Sequence, residues 1–226
     1  MQGFKRYAIY YAPEPGPLAE FGARWLGWNP EAGNDLPHLP SDLPLDQITR
    51  TPRKYGLHGT IKPPFRLAQG IDIGALHATT RALVAGIKPI RLDGLRLARI
   101  GGFLALVPDG DASALSAMAG NIVKALDPFR APLTEAEIAK RRPDRLTENQ
   151  RQMLDQFGYP YVLDEFRFHL TLSGRLDPDL AAQTEAELER HLTGILPRPF
   201  VIRSLCLFGE ADNGCFHLLH RYDLTP

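Results

Sequence analysis

Two short motifs of the same composition, His-x-Thr, occur in this sequence, at residues 58–60 and 169–171. An imidazole can move protons near neutral pH, and a threonine hydroxyl can donate a hydrogen bond to an anionic oxygen. Lysine and arginine side chains near either motif would add charge-assisted hydrogen bonds to such an oxygen. The two motifs therefore have the residue types expected of a site that binds a phosphate ester and transfers protons to and from it.

The second motif lies in a segment whose apolar and polar residues alternate. Side chains two positions apart share one face of a strand, so residues 166–173 predict a strand with an apolar face. Its other face is polar and carries Arg167, His169, Thr171 and Ser173. A surface strand more often presents lysine and glutamate, so this composition indicates the wall of a pocket.

The first motif follows the same alternation over residues 54–62. Lys54, His58, Thr60 and Lys62 are predicted on one face of a short strand, and Tyr55, Leu57 and Ile61 on the other. This face also combines an imidazole, a hydroxyl and cations. Beside the two histidines and two threonines, the candidate phosphate contacts are Tyr55, Lys62, Arg167 and Arg175.

The elements that must position these motifs occur in the same order twice. A helix at 75–87 and strands at 90–100 and 103–107 are predicted after the first motif. A helix at 179–192 and strands at 200–208 and 215–222 are predicted after the second. The histidines are 111 positions apart, and the glycines that open the last strand of each unit are 112 apart. Such a repeat predicts pseudo-two-fold symmetry, with one motif from each half.

Three further segments complete the predicted organisation. Residues 4–12 predict a strand, Pro17 to Leu26 a helix that ends at Gly27, and residues 29–46 a long loop. Two capping-box patterns predict two short helices in an insertion at about 127–160. The basic run Lys140, Arg141, Arg142 and Arg145 in that insertion is typical of a solvated helix face, and an anion-binding lid is the alternative.

Composition limits the classes of protein to which this chain can belong. With 44% hydrophobic and 23% charged residues, a single bilobal domain over residues 1–226 is expected. The 26 basic and 26 acidic residues cancel, so a long nucleic acid is not an expected partner. The first residues lack the apolar run of a signal peptide, and no stretch approaches the roughly 18 apolar residues of a membrane span. A cytoplasmic protein without a membrane partner is therefore predicted.

The C-terminal strands contain a loose set of zinc-ligand residue types, namely Cys206, Cys215, His217 and His220. Strand alternation places Cys215 and His217 on one face and His220 on the other, which disfavours a shared metal. The prediction is that the chain has no metal site and uses no cofactor.

At the level of the motifs, the sequence resembles the 2H phosphoesterase superfamily, which is defined by a pair of His-x-Thr/Ser motifs among apolar residues. The runs Lys-Tyr-Gly-Leu-His-Gly-Thr-Ile-Lys-Pro-Pro-Phe-Arg-Leu at 54–67 and Phe-Arg-Phe-His-Leu-Thr-Leu-Ser-Gly-Arg-Leu at 166–176 are similar to the DUF1045 branch, labelled as phosphonate-metabolism proteins. The similarity extends over nearly the whole chain.

The resemblance implies an α+β fold with two antiparallel sheets, outer helices and a central groove. It implies that His58 and His169 are an acid/base pair, that Thr60 and Thr171 hold the phosphate, and that no metal takes part. The expected substrate is a small cyclic phosphate, and the branch suggests a ribose cyclic phosphate. A 2′,3′-cyclic or 2′,5′-linked nucleotide and a non-catalytic binding role remain alternatives. The sequence leaves open which histidine is the base, and what the oligomeric state is.

Overall fold

The first half of the chain carries seven strands in this computed structural model, which describes residues 3–225. The strands are β1 (Tyr7–Tyr11), β2 (Trp28–Asn29), β3 (Asn34–Asp35), β4 (Gly59–Phe65), β5 (Ile90–Leu92), β6 (Gly94–Ile100) and β7 (Phe103–Asp109). The helices are α1 (Pro17–Leu26), α2 (Leu45–Ile48) and α3 (Ile73–Val84), with a 3-10 helix at Pro52–Tyr55.

The second half begins with helices and ends with strands. Its helices are α4 (Ser113–Ala125), α5 (Glu135–Lys140), α6 (Glu148–Phe157) and α7 (Pro178–Leu192). Its strands are β8 (Leu170–Thr171), β9 (Phe200–Ile202), β10 (Ser204–Glu210) and β11 (Phe216–Asp223). The predicted α+β class is confirmed. Helix α4 was not predicted from the sequence.

Several helix ends form where the local sequence predicts them. Helix α1 starts at Pro17 and ends at Gly27, whose φ of 77° lies in the left-handed region that glycine adopts without strain. Thr134 and Thr147 cap α5 and α6 through complete capping boxes with Glu137 and Gln150. The two short helices of the insertion are therefore where the capping patterns predicted them.

The main sheet has seven antiparallel strands in the order β11-β10-β1-β4-β8-β7-β6. The predicted two sheets are in fact joined at one seam, because β4 and β8 pair only through Gly59 and Leu170. The short β8 allows no longer ladder. We call β11-β10-β1-β4 the first lobe and β8-β7-β6 the second lobe. The β6-β7 hairpin follows the first motif in the chain but lies in the second lobe. The β10-β11 hairpin follows the second motif but lies in the first lobe, so the two halves of the chain interlock.

The seam also marks the predicted pseudo-two-fold axis. Gly59 and Leu170 are the middle residues of the two His-x-Thr motifs, and they face each other. Ile90 of β5 and Ile202 of β9, which occupy corresponding positions after the two motifs, are likewise paired. The lobes differ in one respect: β1 lies between β4 and β10, whereas β7 lies directly beside β8.

The apolar core covers one face of the sheet. Helices α1, α3, α4 and α7 pack there through residues such as Trp25, Leu76, Ile122 and Leu188, all buried. A smaller cluster on the opposite face of β1 and β10 contains Ala8, Tyr10, Ala12, Cys206, Phe208 and Phe216. No helix within residues 3–225 is long and apolar enough to cross a membrane. The main core thus lies on one face of the sheet, and only the smaller cluster lies on the other.

Candidate active site

A cavity of about 280 Å³ lies on the sheet face opposite the main core, above the seam between the lobes. His58 and Thr60 line it from the first lobe, and His169 and Thr171 line it from the second. The structure therefore brings both His-x-Thr motifs to one cavity.

His58 is held by the turn that precedes β4. Its Nδ1 lies 2.9 Å from the carbonyl oxygen of Gly56, a residue with φ of 68°. A carbonyl only accepts hydrogen bonds, so Nδ1 carries the hydrogen and Nε2 keeps its lone pair. The rings of Tyr10 and Tyr55 pack against the imidazole at centroid distances of 4.2 and 5.3 Å.

The surroundings of His58 favour its neutral form. Burial of the ring lowers its pKa from 6.5 to about 4, against the opposing effect of the hydrogen bond to Gly56. The nearby His169 lowers the pKa slightly further, because two imidazolium ions would repel each other. His58 is therefore suited to accept a proton at neutral pH.

His169 repeats the local geometry in a more open setting. Its Nδ1 lies 2.8 Å from the carbonyl oxygen of Arg167, again two residues earlier, so Nε2 is again the nitrogen left for the cavity. The ring is half-buried and has Phe103 of β7 as its aromatic neighbour, at 5.7 Å. Solvent therefore reaches His169 more readily than His58.

The two threonines complete each motif. Thr60 pairs with Tyr10 on β1, and Thr171 pairs with Ala105 on β7. Both side chains are half-buried, and within residues 3–225 neither hydroxyl makes a hydrogen bond to the protein. Each hydroxyl is consequently available to an anionic oxygen in the cavity.

Lys62 does not lie on the motif face, contrary to the strand alternation. A β-bulge sets Thr60 opposite Tyr10 but Lys62 opposite Ile9, whose side chain is in the main core. The Lys62 ammonium is buried, 3.4 Å from Asp127 and 3.2 Å from the carbonyl oxygen of Val123. Burial lowers its pKa to about 8. The expected phosphate contact is thus an internal ion pair outside the cavity.

Of the other predicted contacts, one lines the cavity and two do not. Tyr55 is in the cavity wall, although alternation placed it on the opposite face. The reason is that Tyr55 ends a 3-10 helix instead of belonging to a strand. Arg167 is exposed and bonds to the carbonyl oxygens of Asp164 and Phe166. Arg175 is exposed and packs over Gly102. Neither arginine is among the residues that line the cavity.

The regular strands around the motifs are shorter than predicted. Only residues 59–65 and 170–171 form ladders, because the segment before each motif turns through a 3-10 helix. Apolar side chains at 166, 168, 170 and 172 are nevertheless buried as predicted. Ser173 departs from the polar face, since its buried hydroxyl accepts from the backbone N–H of Leu104 and donates to the carbonyl oxygen of Gly174.

Other cavity residues carry no motif signal. Arg6, just before β1, and Arg141, at the end of α5, line the wall together with Tyr10 and Tyr159. Arg141 belongs to the basic run in the insertion, but nothing local separates it from its exposed neighbours. Arg6 lies on the same strand face as Ala8 and Tyr10. Its position in the cavity could be predicted only if the pairing of β1 with β4 were known.

Within residues 3–225, no group of three or more histidine, cysteine, aspartate or glutamate side chains is arranged to hold a metal ion. Cys206 is buried in the smaller cluster, and burial raises its thiol pKa to about 12. The zinc-like set near the C-terminus is therefore not assembled into a site.

Comparisons with known proteins found similar sequences and similar solved structures. Two proteins described as ribose 1,5-bisphosphate phosphokinase PhnN are similar to this chain. The one from Janthinobacterium sp. (strain Marseille) is 35% identical over 223 residues, covering 94% of this chain and 49% of its own length. The one from Laribacter hongkongensis (strain HLHK9) is 34% identical over 222 residues, covering 96% and 51%. The chain spans about half the length of these relatives.

Solved structures of similar shape include E. coli LigT complexed with 3′-AMP, with 14% identity, a TM-score of 0.47 and 99% of each chain covered. Another is described as a phosphoesterase, with 13% identity, a TM-score of 0.44, and 98% and 99% covered. A family model described as protein of unknown function, DUF1045, matches residues 60–217, which is more than half of the chain. The resemblance to this branch is confirmed, and the chain belongs to the DUF1045 family.

Proposed function

We propose that this protein is a metal-independent cyclic phosphodiesterase that hydrolyses a small cyclic phosphate to a phosphomonoester. One observation carries the proposal: His-x-Thr motifs from the two halves of the chain line a single cavity. Two imidazoles and two free hydroxyls are the groups that a phosphate ester needs for proton transfer and charge stabilisation. Paired motifs around one groove are also what defines the 2H phosphoesterases that the sequence resembles.

The two imidazoles take different roles in the proposed reaction. His58 accepts a proton at Nε2 from the attacking water, whose oxygen forms the new bond to phosphorus. The bond from phosphorus to one ring oxygen breaks, and His169 donates its Nε2 proton to that departing oxygen. The product has one free hydroxyl and one phosphomonoester, and solvent returns both histidines to their starting states. Each such transfer typically supplies about 10²–10⁴-fold in rate.

The burial difference between the histidines supports this assignment. A general base must be neutral when substrate binds, and burial maintains the neutral form of His58 by lowering its pKa to about 4. A general acid must reach the departing oxygen and exchange its proton with solvent, and the more open ring of His169 suits that role.

The threonines stabilise the phosphate in this proposal. Their hydroxyls donate to the non-bridging oxygens, where negative charge is greatest as the fifth oxygen approaches phosphorus. Because β4 and β8 are fixed by the core beneath them, these donors are positioned before the substrate arrives.

A ribose cyclic phosphate is the substrate class that we favour. The relatives' name refers to a ribose with phosphates on O1 and O5. Opening a cyclic phosphate that joins O1 and O2, at the bond to O2, would leave a phosphate on O1. The cavity of about 280 Å³ suits a single sugar better than an oligonucleotide.

The test is a substrate panel with excess EDTA: ribose 1,2-cyclic phosphate with and without a 5-phosphate, 2′,3′-cyclic nucleotides and a 2′,5′-linked dinucleotide. Products are assigned by ³¹P NMR. Turnover of a ribose cyclic phosphate that survives EDTA is expected.

Other outcomes would correct the proposal in distinct ways. Turnover of nucleotides alone would transfer the activity to the 2′,3′-cyclic or 2′,5′ class. Loss of turnover on chelation, restored by one divalent ion, would indicate a metallophosphodiesterase. Tight binding of the whole panel without any product would support a binding protein.

A further inference from the structure

Two arginines lie where the motif cavity meets a neighbouring one. Arg6, Pro64 and Arg141 line both the cavity of the two motifs and a second cavity of about 470 Å³. None of the four motif residues His58, Thr60, His169 and Thr171 lines the second cavity. The two arginine side chains therefore mark the side of the motif cavity that adjoins the second cavity.

Arg6 is oriented by one carboxylate. Its Nε and Nη2 atoms donate to the two oxygens of Glu210, with Nη2 at 2.8 Å, and this contact raises the pKa of Arg6. Within residues 3–225, Nη1 makes no hydrogen bond. A guanidinium held in this way keeps a fixed orientation and retains donors for a second anion.

Arg141 lines both cavities and has no carboxylate partner among the described residues. Its guanidinium carbon lies 4.7 Å from the centre of the Tyr159 ring, a cation–π contact that positions the charge. Among the described residues it forms neither an ion pair nor a hydrogen bond through its side chain. Its neighbour Arg142, by contrast, is paired with Asp144.

We infer that Arg6 and Arg141 form a subsite for a second phosphate of the substrate, a terminal phosphomonoester one sugar away from the scissile ring. The inference rests on the proposed function, because it takes the motif end of the cavity as the place of the cyclic phosphate. Arg141, which has no carboxylate partner among the described residues, and the Nη1 group of Arg6 can both donate to the oxygens of a phosphomonoester. Tyr55 and Pro63 also line the cavity and can contact the sugar ring.

The charges of the second cavity disfavour a longer polyanion. Two carboxylates line it, because Glu137 is paired with Arg66 and Glu210 with Arg6. A nucleic acid strand that continued through this cavity would meet both carboxylates. A small ligand that ends at Arg141 and at Nη1 of Arg6 does not have to enter this cavity.

The experiment compares ribose 1,2-cyclic phosphate with and without a 5-phosphate, using wild type, Arg141→Gln and Arg145→Gln. Arg145 is the matched control, because it comes from the same basic run, is 73% exposed and is absent from both cavity walls. We expect wild type to prefer the 5-phosphorylated ring. Arg141→Gln should lower kcat/KM for that substrate by about 10- to 100-fold, the usual effect of losing a charged hydrogen bond, and leave the other nearly unchanged. Arg145→Gln should change neither.

The affinity of each protein for ribose 5-phosphate, by calorimetry, separates this inference from the proposed function. Turnover of both rings with equal efficiency, equally lowered by Arg141→Gln, would overturn the second subsite and leave the phosphodiesterase intact. Absence of turnover with Arg141-dependent binding of ribose 5-phosphate would support the subsite and refute the enzyme. An Arg141-dependent preference for an oligonucleotide with a 2′,3′-cyclic end would overturn the small-ligand subsite and indicate that Arg141 binds RNA.

Discussion

The two His-x-Thr motifs are almost identical locally but lie in different surroundings. Each histidine places Nδ1 within 2.9 Å of the carbonyl oxygen two residues earlier, and each threonine faces the same cavity. His58, however, is covered by Tyr10 at 4.2 Å, whereas His169 is half-buried beside Phe103 at 5.7 Å. The motif thus determines which nitrogen is free, and the neighbouring strand determines how deeply the ring is buried.

Strand β1 is the origin of this difference. It lies against β4 and brings Tyr10 over His58, and the second lobe places β7 directly beside β8 instead. In the proposed mechanism, a symmetric pair of motifs therefore acquires one base and one acid from an asymmetric sheet.

The largest expected effect comes from removing either imidazole. His58→Ala and His169→Ala should each lower kcat on the preferred cyclic phosphate by at least about 10²-fold, because each removes one proton transfer. The double variant should fall by less than the product of the two, since the residues act as a unit. Steady-state kinetics with circular dichroism and melting curves checks this. Near-normal turnover by either folded single variant would refute two-histidine catalysis.

The threonines should contribute equally, despite the unequal histidines. Thr60→Val and Thr171→Val keep the branched shape but lose the hydroxyl, and each should lower kcat by about 10- to 100-fold through a lost bond to a charged oxygen. Neither change should move the pH profile, because threonine does not titrate in this range. A tenfold greater loss from one variant would show that the phosphate lies closer to one lobe.

The pH dependence of kcat/KM tests the effect of burial on His58. The kcat/KM value should fall at acid pH as His58 becomes protonated, near its lowered pKa of about 4. In a profile measured from pH 3.5 to 9, activity should therefore persist well below pH 6.5. If the acid limb instead centred near 6.5, the Tyr10 environment would not be controlling the base.

The smallest effect on activity is expected at Lys62. Because its ammonium is buried beside Asp127 and away from the cavity, Lys62→Met should leave kcat/KM near the wild-type value. Asp127 keeps its two bonds to Arg130 in that variant. A loss of activity as large as that of Thr60→Val would show that Lys62 contributes to the active site after all.

The pH dependence of the free energy of unfolding should also reflect the buried Lys62. The folded pKa of about 8 is below the unfolded value of 10.5, so the unfolded chain binds more protons between these values. The free energy of unfolding should therefore rise with pH from about 8 to 10.5 in wild type relative to Lys62→Met. Urea titrations at several pH values would measure this difference.

Local sequence signals predicted the parts of the structure that depend on local chemistry. Pro17 and Gly27 bound α1, and Thr134 and Thr147 start the insertion helices. The two motifs and their repeat gave the expected positions of both histidines in one groove. These features follow from backbone preferences and from periodicity, which a single sequence displays.

Features that depend on neighbours in space were not predictable in this way. A bulge opposite Ile9 turned Lys62 into the core, and a 3-10 helix moved Tyr55 into the cavity wall. Arg141 carried no sign that separated it from Arg142 and Arg145. Strand alternation assumes a regular ladder, so it fails where the register shifts.

The pairing of Gly59 with Leu170 and of Ile90 with Ile202 bears on how the two histidines can take different roles. Equivalent positions that meet across an axis are the mark of an isologous contact, which two copies of one chain make in a symmetric dimer. In such a dimer both imidazoles would be identical by construction, and no change could alter one without the other. Joining the halves in a single polypeptide removes that constraint. Each half can then specialise, one toward taking protons and the other toward giving them.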